Sequence, residues 1–204
     1  MSKAVLISIR PQWCEKIFNG QKTIEVRKTR PKLETPFKCY IYCTQSGIKK
    51  FWTGPRYSYA DDHSHNQFDR CGCSKVIGEF VCDRIYDIVP NGCEYIVPST
   101  DKGTTNEIAK QSCLTFNDLR KYLGLHCGYG WHISNLKCYD EPKELSEFTA
   151  ACRYKNDDGT CLPRRIACSF QRYDYNPDGS INIVECGNTI RRPPQSWGYV
   201  EELP

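Results

Sequence analysis

Short β-favouring runs with only brief helical patterns between them set the strongest limit on what this chain can become. Ala4–Ile9 (AVLISI) is rich in branched aliphatics and is closed by Arg10 and Pro11, as a buried first strand would be. From Pro11 to Asn19 the apolar Trp13, Ile17 and Phe18 fall at one-face helical spacing, and Gly20 follows where a left-handed residue is wanted, so a short helix is expected. Thr23–Arg27 then alternates, with Ile24 and Val26 on one side and Thr23, Glu25 and Arg27 on the other, the pattern of a half-buried strand. Phe37–Cys43, Lys75–Ile88 and Tyr129–Tyr139 read as further strands, the second with a bend at Gly78. Asn106–Gln111 and Thr115–Leu123 read as helices, the latter opened by Thr115 and Asp118 in a capping-box arrangement and closed by Gly124. Pro142–Phe148 reads as a short polar helix or turn, and Ser46–Arg70 as a long loop. Mostly antiparallel strands with a few short helices place the chain in the α+β class, as a small open β-barrel and not a series of βαβ units.

This pattern occupies residues 1–148. From Cys152 onward Cys, Arg, Tyr and Pro dominate and aliphatic residues thin out, so 149–204 is expected to be a Cys-rich extension without a core of its own. No apolar run approaches the roughly 20 residues of a membrane span. The start, MSKAVLISIR, has neither the basic opening nor the long apolar middle of a secretion signal, so a cytoplasmic location is expected, with the 14 cysteines reduced or metal-bound. The formal charge of +4 conceals a segregation: residues 1–50 hold 11 basic and 3 acidic side chains, against 17 and 21 in the remainder. Such a split favours phosphate-bearing partners more than the net figure does.

Within the basic segment, Gly20-Gln21-Lys22-Thr23-Ile24-Glu25-Val26-Arg27 contains G-x-K-x-x-E-x-R. This matches, at all four positions, the signature of the ASCH domain family, which the chain resembles over roughly residues 3–148. The stretches KVIGEFVCDRI, GYGWHISNLKCYD with EPKELSEF, and PPQSWGYVEEL look like the phage and prophage branch of that family. The resemblance implies a PUA-like barrel with a cleft beside the signature, and RNA binding.

The residues themselves fit a polar cleft. Arg27 offers a planar fork of donors for a phosphate or a base edge, Lys22 a compact charge, and Glu25 an acceptor for an exocyclic amine. Strand alternation would put Lys22 opposite Glu25 and Arg27 unless the helix–strand junction turns it. Arg10, Trp13 and Thr23 flank the same junction, and Trp52 and Trp131 are candidate stacking rings beside cations, so the nucleic-acid-binding set is Arg10, Trp13, Lys22, Thr23, Glu25, Arg27, Trp52 and Trp131. The alternative is a hydrolase. Some ASCH-like proteins deacetylate acetylated cytidine with a Lys, a Thr and a Glu, which would make Lys22 and Glu25 catalytic here, but the threonine position is filled by Ile24, or by Glu25 with one residue of slip. Glu79 is a further carboxylate that either lines the cleft or faces solvent, and His132 either titrates in the cleft or packs. The partners expected are RNA or a modified nucleoside, with an adaptor to a host protein as a third reading.

Four thiols of the extension, Cys152, Cys161, Cys168 and Cys186, suit a structural zinc that would replace missing apolar burial, although they contain no C-x2-C knuckle. His63, His65, Cys71 and Cys73 form a second, more awkwardly spaced set. Cys39, Cys43, Cys82 and Cys138 read as small buried hydrophobes in strands, and Cys14 lies near the cleft.

Overall fold

The computed structural model describes residues 2–45, 73–91, 94–96, 105–151, 171–175, 177–178, 181–186 and 189–203. The chain opens with β1 (Lys3–Ile9), α1 (Pro11–Phe18), β2 (Ile24–Arg27) and β3 (Phe37–Cys43). There follow β4 (Val76–Cys82), β5 (Ile85–Asn91), β6 (Glu94–Ile96), α2 (Thr105–Ser112) and α3 (Phe116–Leu123). The remaining strands are β7 (Gly128–His132), β8 (Ser134–Lys143), β9 (Gln171–Tyr175), β10 (Ile181–Cys186) and β11 (Trp197–Glu201), with a single 3-10 turn at Leu145–Glu147.

Two sheets organise these elements, in the strand orders β11-β1-β3-β4-β8 and β2-β7-β5-β6, and β9 and β10 form a separate hairpin. The class is α+β, and among the described residues the two sheets do not close into a barrel. β1 is buried on both faces because it lies between β11 and β3 with core on either side. Val5, Ile7 and Ile9 enter one cluster with Ile41, Phe80 and Trp131, whereas Ala4 and Leu6 enter another with Tyr40 and Phe148. Among the described residues no helix is long and apolar enough to cross a membrane.

Two runs that read as single strands are each two. Lys75–Ile88 divides at Asp83 and Arg84, where the chain leaves the first sheet as β4 and enters the second as β5. Tyr129–Tyr139 divides at Ile133, where β7 of the second sheet gives way to β8 of the first. A strand that changes sheets at a corner stays apolar through the bend, so its composition does not mark the break. The Thr115–Asp118 capping box is present at the start of α3, with Asp118 N–H donating to Thr115 Oγ1 at 3.2 Å.

Part of the segment beyond residue 148 returns to the first sheet. β11 pairs antiparallel with β1, from Lys3 opposite Glu201 to Ile7 opposite Trp197, and Ala150 bridges to Val200. The loop Ser46–Arg70 and Trp52 within it lie outside the described residues. So do Cys152, Cys161 and Cys168; Cys186 is the last residue of β10. Among the described residues, no group of three or more His, Cys, Asp or Glu is arranged to hold a metal ion.

Gly78 marks a close approach between backbones. A Cβ there would sit 2.4 Å from the Lys137 carbonyl oxygen and 2.7 Å from Phe18 Cζ, and the β4–β8 register shifts between Val76 and Gly78. Because the nearest atom is backbone in the paired strand, it cannot swing aside. Gly78→Ala is therefore expected to destabilise the fold by about 1–3 kcal/mol in urea denaturation, and an unchanged midpoint would show that the sheet can separate there without cost.

Candidate functional site

The signature residues start from a helix–strand junction. α1 has Pro11 in its first turn, and Gly20, two residues past its end, has a φ of 77°, where glycine carries no Cβ penalty. The Lys22 N–H then donates back to the Lys16 carbonyl at 2.9 Å, and Thr23 N–H donates to the Gln111 carbonyl at 2.9 Å. These bonds fix Lys22 outside the regular strand. β2 begins only at Ile24, so alternation does not govern the direction of the Lys22 side chain.

Within β2 alternation holds. Ile24 and Val26 pack with Ile88, Ile108, Leu119 and Leu123 beneath α2 and α3. Glu25 and Arg27 take the other face, directly opposite Trp131 and Tyr129 of β7. That polar face is as buried as the apolar one, although β2 is an edge strand. The half-buried reading fails because segments distant in sequence cover the polar side: the Ser8 carbonyl of β1 and the Pro194–Ser196 stretch meet there.

The three charged groups converge. Lys22 Nζ lies 3.1 Å from Glu25 Oε2, and Arg27 Nη2 lies 3.0 Å from Glu25 Oε1. Lys22, the most buried at 2 % exposure, also donates to the carbonyls of Ile24 and Ser112, each at 2.8 Å. Its three ammonium hydrogens thus all have acceptors. Arg27 donates from Nη2 to the Ser8 carbonyl at 2.7 Å and from Nη1 to Ser196 Oγ at 3.2 Å, while its buried Nε has no partner. Two cations share one carboxylate in a largely desolvated position, so the group carries an excess of positive charge and is held together by hydrogen bonds to backbone.

Aromatic rings surround this triad, each with a cation over it. Lys16 and Lys22 lie 5.1 Å and 5.4 Å from the Trp13 ring, Lys28 lies 5.3 Å from Tyr122, and Arg30 lies 5.9 Å from Tyr129. Tyr122 is 38 % exposed, and its hydroxyl sits against the Arg27 guanidinium. Burial raises its pKa; Arg27 counteracts that, yet the net direction is upward, so the phenol stays protonated at neutral pH.

The other candidates fall in several places. Arg10 is exposed at the start of α1 and makes no side-chain cap. Thr23 is half-buried, and its carbonyl accepts from Ile133 N–H at 2.8 Å. Trp131 is fully buried, edge-on to Phe37 at 6.0 Å and to Trp197 at 5.8 Å, with an indole N–H that has no partner. Its ring presents no exposed face. Glu79 belongs to β4, where it accepts from the Tyr139 hydroxyl at 2.6 Å. His132 lies on the face of β7 away from Trp131 and pairs through Nδ1 with Asp83 at 2.6 Å. Cys39, Cys43 and Cys82 are buried as expected, but Cys138 is exposed, because β8 is an outer strand with solvent along much of its length.

Ser8, Ser112, Tyr122 and Ser196 complete the site and were not among the candidates. Two of them contribute carbonyls, which any residue type supplies, so no side-chain pattern marks them. Tyr122 carried a signal in the last turn of an amphipathic helix, where it is polar-tipped and accompanied by Arg120 and Lys121.

No family model matches the chain, and no curated protein sequence matches it. Among solved structures it is similar to ASCH from Zymomonas mobilis, at 16% identity over 70% of this chain and 73% of that one, with a TM-score of 0.45. A tyrosine-to-phenylalanine variant of that protein gives 16% identity, 71% and 77% coverage and a TM-score of 0.43. A serine-to-alanine variant gives 16%, 70%, 74% and 0.42. The chemistry of the site stands on the residues described above and not on these likenesses.

Proposed function

We propose that the chain binds RNA on the face formed by α1, β2, the residues just after β2, and α3, holding phosphates by charge and an unpaired or modified base by stacking. The observation that carries this reading is the set of cation-over-ring contacts around a buried triad with two cations to one carboxylate. Single-stranded nucleic acid is held by this combination, a basic track interleaved with rings. In the proposed division of work, Lys16, Lys28, Arg30 and the exposed Arg10 meet phosphates, and Trp13, Tyr122 and Tyr129 offer faces to bases. Lys22, Glu25 and Arg27 act from below, as a fixed positive field and as the scaffold that sets Trp13 and Tyr122 in place.

The hydrolase reading needs Lys22 or Glu25 to exchange a proton with substrate. Each is already engaged, Lys22 with three acceptors and Glu25 with two cations, so binding is the better supported of the two.

Fluorescence anisotropy with a labelled single-stranded oligoribonucleotide tests the reading. Log affinity is expected to fall linearly with log salt, by about 0.7 for each phosphate neutralised. Joint replacement of Lys16, Lys28 and Arg30 by alanine should flatten that slope. Binding that is absent, or indifferent to salt, would overturn the proposal.

A further inference from the structure

A single exposed leucine on a protein surface is ordinary. The setting of Leu125 is not. Among the described residues two large hydrophobic side chains are exposed, Leu125 at 75 % and Tyr122 at 38 %, and they stand three residues apart where α3 runs into β7. The turn that carries Leu125 is tied on both sides. Gly124 N–H donates to the Arg120 carbonyl at 2.9 Å and the Gly124 carbonyl accepts from the buried Tyr95 hydroxyl, while His126 N–H donates to the Leu123 carbonyl at 3.3 Å. The chain then enters β7 at Gly128, where a Cβ would lie 3.3 Å from the Arg27 carbonyl oxygen, so the turn returns beside the end of β2. Lys28 follows there, 5.3 Å from the Tyr122 ring. Residues 28–32 and 119–127 together hold Lys28, Arg30, Lys32, Arg120 and Lys121, all five exposed, and no acidic residue.

We propose that Leu125 is a wedge that enters between neighbouring bases of bound RNA, so that the site takes an RNA with an unpaired nucleotide beside stacked ones in preference to a continuous duplex. The inference rests on the RNA-binding reading above and names the substrate class of that face. Leucine has no ring on which a base can stack. An apolar branched side chain at a nucleic-acid interface instead slips between adjacent bases and parts them. Tyr122, one helical turn back, is placed to receive the face of a base that the wedge releases. Parting neighbours inside a paired helix costs unstacking and unpairing together, and costs least where the base is already unpaired. Burial of one leucine offsets the smaller cost and not the larger, which is the source of the preference.

The charge around the turn favours this occupant. Five exposed cations with no acid in the same segments complement a polyanion, and Lys28 sets one of them directly over the ring beside the wedge. An anionic membrane would meet the same cations, but even a myristoyl chain alone anchors a protein only marginally, and one leucine buries far less. The rigid turn matters for the same reason. A side chain already fixed by the bonds on either side of it loses little freedom when it enters a base step.

The test compares, by fluorescence anisotropy with the full chain, a labelled RNA duplex carrying one bulged nucleotide and the same duplex without the bulge. The unaltered chain is expected to prefer the bulged RNA by about 10-fold, and Leu125→Ala to reduce that preference to about 2-fold or less. Leu125→Met, which keeps the apolar bulk, should restore most of it. At 75 % exposure the position tolerates both changes, which an unchanged urea midpoint checks. The wedge is overturned, with the RNA-binding reading intact, if a single-stranded oligoribonucleotide binds in a salt-dependent way while Leu125→Ala leaves the preference as it was or lowers affinity for both duplexes equally. It is also overturned if Leu125→Ala abolishes binding to phosphatidylserine-containing vesicles and leaves the RNA preference untouched. Absence of binding to any of the three RNAs overturns both readings together.

Discussion

Glu25→Ala is expected to cost about 3–5 kcal/mol of folding stability, the range found when one partner of a buried ion pair is removed and the other charge is left behind. Here two charges are left. Lys22 retains its two carbonyl acceptors, and Arg27 retains Ser8 and Ser196, so neither cation has a route to solvent that keeps its hydrogen bonds. Glu25→Gln keeps the shape and removes only the charge, and should fall between the two. Urea denaturation of the three proteins measures the effect. A loss below about 0.5 kcal/mol for Glu25→Ala would place it with ordinary surface substitutions, and would mean that the triad opens to water.

The second large effect is on binding. Tyr122→Ala is expected to weaken affinity for a single-stranded oligoribonucleotide by about 5- to 150-fold, because each base–aromatic stack contributes about 1–3 kcal/mol. Tyr122→Phe keeps the ring under Lys28 and loses only the hydroxyl that faces Arg27, so it should retain most of the affinity. Equal losses from both variants would assign the effect to the hydroxyl and remove the stacking role. Folding is the control, since Tyr122 is 38 % exposed and its truncation leaves Leu119 and Leu123 in the core.

How much of this was legible in the chain depends on how local the determinant is. The alternation of Ile24 and Val26 against Glu25 and Arg27, the helix stop at Gly20 and the capping box at Thr115 are settled within a turn or a pleat of the backbone, and each can be read from neighbours in sequence. The burial of the polar face of β2 cannot. It follows from Ser196 and Pro194 arriving from far along the chain, and nothing in residues 20–27 announces a cover. Trp131 is a related case: beside His132 in a strand it reads equally as a stacking ring or a core ring, and the choice is made by Phe37 and Trp197 on other strands. Tyr122 escaped notice because its hydroxyl meets Arg27 across a gap in sequence that no periodicity reports.

The contact between Arg27 and Ser196 spans 169 positions, and the pairing of β1 with β11 joins equally remote segments. A signature written in eight consecutive residues therefore reaches its finished geometry only once residues emerging late from the ribosome have docked on those made first. Until then Arg27 lacks its Ser196 partner, whereas Lys22 depends on Ile24, Ser112 and Glu25, all made earlier. Topologies dominated by such distant pairings cross their barrier slowly, because the connecting chain must be ordered before the closing contacts repay it. The contact that joins residues 27 and 196 is accordingly expected among the last to form on the way to the native state.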